Sequence, residues 1–476
     1  MSPSDGRVIR FFMWAVAAFA VGTSVFRAAT QSITHDEALT YLLFMQGSFR
    51  HVFSYTGNQN HVLQALLSRS AIAILPTTPF TLRLPTVLAS VVYCAIAVKI
   101  SARWLTGGPQ KVVAIALLTL NPYVLDFLSA ARGYGLMLAF VFSAVYLLVS
   151  TASGWRGAIA GALLGLAVAA TTVSIYPAVG ILFACATYPL LTEQSTRGLK
   201  DAVLIGTSIV LVAIVPLANQ LSHASRSDYY IGATSPILWF ASLIHASIHQ
   251  TPAIDSMAAL GTLEVAAVAV IAFVLLTALA FAARCIARRR CASMNERALV
   301  WLGLAMIGMA GFAVALHAVI GLRYPQGRTA LYWIPVITLA GLLAFEHAPT
   351  RGPIRAILWS VIIGVLTAYV VCFQVSTYAD WKYDAADEAF VARLTVEHAG
   401  SDSLIRVGGS WQLEPSINFY RLTQRLAWMA PMERIPPARG YDYYVFFGDD
   451  REFLQQFHLK TLLTSEKAES VLATPQ

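Results

Sequence analysis

The sequence predicts an all-α polytopic membrane protein of about eleven transmembrane helices with surface helices on its outer side, followed by a small C-terminal α/β soluble domain. Three observations carry this. Hydrophobic residues make up 57% of the 476 and charged residues only 12%, where a soluble chain holds roughly 25% charged residues. Runs at 11–26, 112–120 and 361–373 contain no charge, and several segments approach the ~20 residues that a ~30 Å hydrocarbon core demands. Beyond residue 374 the apolar runs stop and charges return to every stretch.

The apolar segments fall at 8–26, 84–101, 111–128, 133–150, 156–172, 174–191, 199–219, 258–283, 298–320, 329–346 and 354–374. The first has the basic start and apolar body of a signal peptide, but a polytopic chain follows it, so it reads as an uncleaved first helix. The run at 61–75 is short for a span and carries Gln64 and Arg69. The distribution of basic residues decides its place. If 61–75 lies on the surface, one face collects Arg7, Arg10, Lys99, Arg103, Lys111, Arg156, Arg197, Lys200, Arg284, Arg288, Arg289, Arg290, Arg297, Arg351 and Arg355. If it crosses, these residues divide between the two faces. The basic face is the inner one. The outer face then receives the 27–82 loop, the turns near Arg132 and Tyr176, the 220–257 loop, the 321–328 turn and the C-terminal region.

In that region a helical pattern at 384–398 precedes a strand-like 404–407 ending in Gly408-Gly409. Helix-like 414–422, strand-like 443–447, then 451–457 and 460–463 continue an alternation that reads as a small α/β sandwich. Gly408-Gly409 is no nucleotide fingerprint, because no further glycine follows at the required spacing. The net charge of +8 sits in short loops between apolar runs, where it orients a membrane protein and does not signal nucleic acid. Cys94, Cys185, Cys285, Cys291 and Cys372 form no CxxC pair and no metal-ligand spacing. No Walker loop, GxSxG or HExxH is present.

Asp36-Glu37 is the first constellation with chemistry. Adjacent carboxylates beside a bilayer persist where water, a metal or a substrate meets them. One acid in a helix's first turn can satisfy free backbone N–H groups; the other is a candidate general base. Asn60 is a cap for the 61–75 helix. His61 beside it could join Asp36 and Glu37 in holding a divalent metal ion, or bond a phosphate. Arg83-Leu84-Pro85 turns the chain into the second span, with proline in the first turn. Asp126, at the outer end of the third span, needs a partner or a purpose, and Arg132 within two turns is the candidate ion-pair partner. Arg132, Arg323 and Arg328 sit on the outer side against the positive-inside rule. Their guanidinium forks suit phosphate, snorkelling to lipid head groups being the plainer alternative. His245 and His249 share an i, i+4 spacing but lack a third ligand.

The order of these features resembles the GT-C superfamily of membrane glycosyltransferases, in the protein O-mannosyltransferase and aminoarabinose-transferase branch. Matching pieces are a first span followed by Asp36-Glu37, a surface helix, the Arg83-Leu84-Pro85 start of a span, the Arg132-x-Tyr134 turn and the later Arg323-Tyr324 turn. The resemblance covers residues 1–374 and is strongest over 31–140. It implies inverting transfer of a sugar from a polyprenyl-phosphate donor to a cell-envelope acceptor outside a bacterial inner membrane, with the site and the C-terminus on the extracytoplasmic side. It implies Asp36, Glu37 and Asp126 as catalytic residues, and His61, Arg83, Arg132, Tyr134, Arg323, Tyr324 and Arg328 as substrate-binding ones. Two departures stand out: His61-Val62-Leu63 replaces a common His-Pro-Pro, and Tyr134 occupies the place of a second aspartate, which only Asp126 can supply. The rival reading is a lipid or sugar transporter. Transporters show paired halves with interrupted helices, and 8–190 and 199–374 show no repeat.

Overall fold

The computed structural model describes residues 3–54, 61–150, 155–191, 195–223, 232–248, 257–289, 291–347, 352–399 and 403–476. Fifteen helices form the bundle: α1 (Pro3–Thr30), α2 (His35–Thr40), α3 (Val62–Ile72), α4 (Pro79–Trp104), α5 (Gly108–Thr119), α6 (Pro122–Phe127), α7 (Tyr134–Ser150), α8 (Trp155–Ala170), α9 (Ile175–Thr187), α10 (Ser195–His223), α11 (Pro236–Ile248), α12 (Met257–Arg288), α13 (Met294–Ile320), α14 (Trp333–Glu346) and α15 (Pro353–Val371). Five helical stretches among the described residues are long and apolar enough to cross a bilayer, at Asp5–Thr30, Pro79–Trp104, Thr172–Leu191, Leu199–His223 and Met294–Ile320, and shorter apolar helices stand between them. Phe11, Phe19, Leu88, Val203 and Val215 are each more than half exposed. Large apolar side chains exposed along span-length helices fit a lipid environment. The chain is an integral membrane protein.

Inside the bundle α1 packs on α4 and α5, α4 on α7, α8 on α10, and α9 on α13. Two expected boundaries move. The expected span 111–128 is broken between α5 and α6, because Pro122 lacks an N–H and the Asn121 side chain accepts the Val124 N–H at 3.0 Å to start a new helix. The second span begins at Pro79 with Thr78 as its cap, so Arg83-Leu84-Pro85 lies inside α4 and is not its entrance. Pro85 is the seventh residue of α4, so its missing N–H removes one bond of the helix interior. Helix α3 follows the short 61–75 segment, with His61 at its cap position; Asn60 lies outside the described residues. Cys285 and Cys291 are disulfide-bonded, a pair that no spacing motif announced.

The C-terminal region carries α16 (Asp387–Glu397), α17 (Glu414–Thr423), α18 (Phe453–Gln456) and a four-stranded sheet of β1 (Val407–Gly409), β2 (Tyr443–Phe447), β3 (Leu459–Ser465) and β4 (Ser470–Pro475). The sheet order is β1-β2-β4-β3, with β1 parallel to β2 and the other pairs antiparallel. Strand β4 was not expected. Its first four residues are buried, because it is central and paired on both edges. Helix α17 packs on α2, joining this region to the bundle at the Asp36 turn.

Candidate active site

Helix α2 is short and begins with a capping box. The Thr34 side chain accepts the Glu37 N–H at 3.3 Å, and the Glu37 carboxylate accepts the Thr34 N–H at 3.0 Å. Glu37 also receives Arg83 Nε at 2.9 Å and Nη2 at 2.6 Å, and the Ala131 N–H. Arg83 has no donor to spare. Its remaining N–H groups go to the carbonyls of Ala28, Gln31 and Ser32. Both side chains are fully buried. Glu37 and Arg83, expected in the catalytic and substrate-binding sets, are instead occupied in pinning α1, α2 and α4 together.

One residue earlier, about 100° around the helix, Asp36 faces elsewhere. Arg132 Nη2 lies 3.5 Å and Arg328 Nη1 2.9 Å from the same oxygen, Oδ2. Both contacts are ion pairs without hydrogen-bond alignment. Arg132 also donates to the Asp36 carbonyl at 3.3 Å and to Thr40 Oγ1 at 3.2 Å. The turn that carries Arg132 is pressed against the end of α8: a Cβ on Gly133 would stand 1.8 Å from the Ala170 carbonyl oxygen, so only glycine fits. Burial alone would raise the Asp36 carboxyl, but Arg132 and Arg328 overcome this and hold it well below the usual carboxylate range.

His61 Nδ1 donates to the Ala170 carbonyl at 3.1 Å, and the ring lies 5.3 Å from Tyr134 edge to face. Burial, then Arg132, pushes His61 well below its ordinary value and keeps it neutral. Tyr134 packs on Phe127 at 4.9 Å. A divalent metal ion held by Asp36, Glu37 and His61 does not fit these residues. The Glu37 oxygens are filled by Arg83 and backbone N–H groups, and no group of three or more potential ligands assembles among the described residues.

Asp126 does not pair with Arg132. It forms a buried ion pair with Arg27 of α1, and its other oxygen accepts the Ala379 N–H at 2.8 Å. Arg27 also donates to the Thr377 carbonyl at 2.8 Å and lies 4.8 Å from the Tyr378 ring centroid. Asp126 therefore anchors the strap 375–381 that leads from α15 into the C-terminal region. Of the 321–328 turn, only Arg328 reaches Asp36 among the described residues. Tyr324 is stacked between His317 and Trp239, at 4.6 and 5.7 Å, and Arg323 is exposed beside it. His245 lies on α11; His249 falls outside the described residues.

The strap brings in residues that had no place in the sequence reading. Asp380 accepts the Tyr123 hydroxyl on both oxygens, at 3.2 and 3.1 Å, and stands 3.8 Å from Arg328 Nη1. The Arg328 guanidinium carbon lies 5.5 Å from the centre of the Trp381 ring. The only available signal was position, a carboxylate within ten residues of the last apolar run.

A second acid pair clasps α2 from the C-terminal region. Asp384 accepts the His35 N–H at 2.5 Å, and Asp387, three residues on, accepts the Ser416 hydroxyl. Each has one unbonded oxygen, both are fully buried, and neither forms an ion pair among the described residues. Burial, and for Asp384 also the Asp387 charge, raises these carboxyls well above the usual range; Asp36 and Glu37 add to the effect on Asp384. The folded state thus holds protons that the unfolded chain releases above about pH 3.9. Stability from the pair is fully present in acid and is lost as pH rises from there towards the raised values. The thermal midpoint of the purified protein is expected to fall between about pH 5 and about pH 8, and Asp387→Asn to flatten that slope. An unchanged slope in the variant would assign the titration elsewhere.

No protein-family model matches the sequence, and no curated protein does. Among solved structures, the fold resembles ArnT from Cupriavidus metallidurans bound to undecaprenyl phosphate, with a TM-score of 0.51 at 11% identity over 96% of this chain and 97% of that one. The apo state of the same protein gives 0.49 at 12% identity over 99% and 98%. An Archaeoglobus fulgidus oligosaccharyltransferase gives 0.45 at 13% identity over 90% of this chain and 64% of that one. At such identities the likeness with ArnT concerns fold, and it runs the length of both chains. The chain shares the polytopic fold of that structure from end to end.

Proposed function

We propose that the protein is a membrane glycosyltransferase that passes a sugar from a polyprenyl-phosphate donor to a cell-envelope acceptor, with inversion, at the extracytoplasmic face of a bacterial inner membrane. The observation that carries this reading is the Asp36 carboxylate held between Arg132 and Arg328, in a fold whose neighbour ArnT was solved with undecaprenyl phosphate bound. The gathering of basic residues on the opposite face supports the orientation.

The acceptor oxygen attacks the anomeric carbon and forms the new C–O bond. The bond from that carbon to the phosphate oxygen breaks, its electron pair staying with the lipid phosphate. The proton of the acceptor hydroxyl passes to Asp36. Charge grows on the phosphate as the bond breaks, and Arg132 and Arg328 are the donors placed to meet it. Arg132 Nε is buried without a partner, so that donor is still to be used. As the phosphate draws on the two arginines, their hold on Asp36 weakens and its proton affinity recovers, because those arginines are what keep it low.

Asp36→Asn is expected to lower sugar transfer about 10²–10⁴-fold, the usual worth of a positioned base, while undecaprenyl phosphate still binds. Transfer at the wild-type rate in reconstituted vesicles supplied with polyprenyl-phosphate sugars would remove Asp36 from the role of base.

A further inference from the structure

We propose that Arg328 has two seats in the site, one on Asp36 and one on Asp380, and that Asp380 is a positioning residue that holds Arg328 when the donor phosphate draws it away from Asp36. This rests on the glycosyltransferase reading above. One nitrogen, Arg328 Nη1, stands 2.9 Å from Asp36 Oδ2 and 3.8 Å from Asp380 Oδ2. It is closed on the first and open to the second.

The two arginines differ in freedom. Arg132 is 3% exposed and tied to the Asp36 carbonyl and Thr40 as well as the carboxylate. Arg328 is 26% exposed and meets Asp36 through a single nitrogen. Only Arg328 can exchange partners without breaking a buried network. The two acids differ in the same sense: Asp36 is 7% and Asp380 29% exposed, so a shift of Arg328 towards Asp380 is a shift outward, towards an arriving phosphate.

Asp380 is built to receive it. Both its oxygens are held by the Tyr123 hydroxyl, and its neighbour Ala379 is fixed through the backbone to the Asp126–Arg27 pair. The Trp381 ring beside Arg328 offers a flat face along which a guanidinium can slide with its charge still met. Without Asp380, a phosphate would have to pull Arg328 from its one carboxylate with no second one to balance it. With it, the exchange frees Asp36 while Arg328 stays in the site.

The test is Asp380→Asn in the full-length protein, reconstituted in vesicles. Removing a negative charge beside the phosphate should leave undecaprenyl phosphate binding unchanged or tighter, measured by titration of that lipid. Yet kcat should fall about tenfold with KM for the donor no higher, a split that separates turnover from binding. Asp380→Glu should recover most of the loss, and Tyr123→Phe, which frees the carboxylate without removing it, should reproduce part of it. An unchanged kcat in both Asp380→Asn and Tyr123→Phe overturns the inference, as does a parallel loss of binding, kcat and thermal midpoint that glutamate does not rescue. Asp36→Asn serves as the control. If the wild-type protein transfers no sugar the transferase reading has failed; if Asp36→Asn is inactive while Asp380→Asn is normal, only the two-seat inference has.

Discussion

Arg328→Ala is expected to lower the rate of sugar transfer about 10²–10³-fold, the cost of removing one preorganised donor from developing charge. Arg328 is the closer of the two cations on Asp36 and the more accessible, so its loss strikes the transition state harder than the fold. Among the described residues its side chain makes no hydrogen bond that ties two helices together, its pair with Asp380 is partly solvated and worth at most about 1 kcal/mol to stability, and the buried Asp36 keeps Arg132 as a partner. The thermal midpoint should therefore hardly move. Arg328→Lys should restore only part of the rate, because a single ammonium lacks the fork that serves a carboxylate and a phosphate at once. Single-turnover transfer in vesicles gives the number. A wild-type rate for Arg328→Ala would exclude this arginine from the chemistry.

The second large effect is on stability. Arg83→Met is expected to cost about 3–5 kcal/mol, because it leaves the Glu37 carboxylate buried and uncompensated. It also strips hydrogen-bond partners from the carbonyls of Ala28, Gln31 and Ser32 at the end of α1. Pairing it with Glu37→Gln removes the stranded charge, so the double variant should be more stable than Arg83→Met alone, and the cycle measures the coupling. Thermal unfolding in detergent is the measurement. Additive losses would mean that the two side chains do not act as a pair.

The contrast between Glu37 and Asp36 shows what was legible beforehand. The acid pair stood out because carboxylates are costly beside a membrane, and Thr34-x-x-Glu37 has the spacing of a capping box, which marks Glu37 as the structural member. Arg132 and Arg328 were readable as arginines that the topology expected from the sequence sets against the positive-inside rule. The partner of Asp126 was not. Arg132 is near in sequence, but Arg27, 99 residues away, is near in space, and no local pattern reports such a pairing. Asp380 was hidden for the same reason. It belongs by composition to the polar C-terminal region and by position to the membrane site. The break at Asn121-Pro122 was visible as a cap followed by a proline, yet hydropathy alone joined the two helices, because burial in lipid and burial in protein look alike on that scale.

The strap 375–381 has a bearing on the order of assembly. Asp380 and Trp381 follow the fifteen described bundle helices in the chain, so Arg27 and Asp126 are made before the strap that their pair holds. Synthesis of the strap then brings it to that ion pair and sets one wall of the site in place. An unfinished chain would hold a well-inserted bundle with Asp36 and both arginines, and still lack the wall that meets Arg328. Synthesis through the strap is in this sense a condition built into the site.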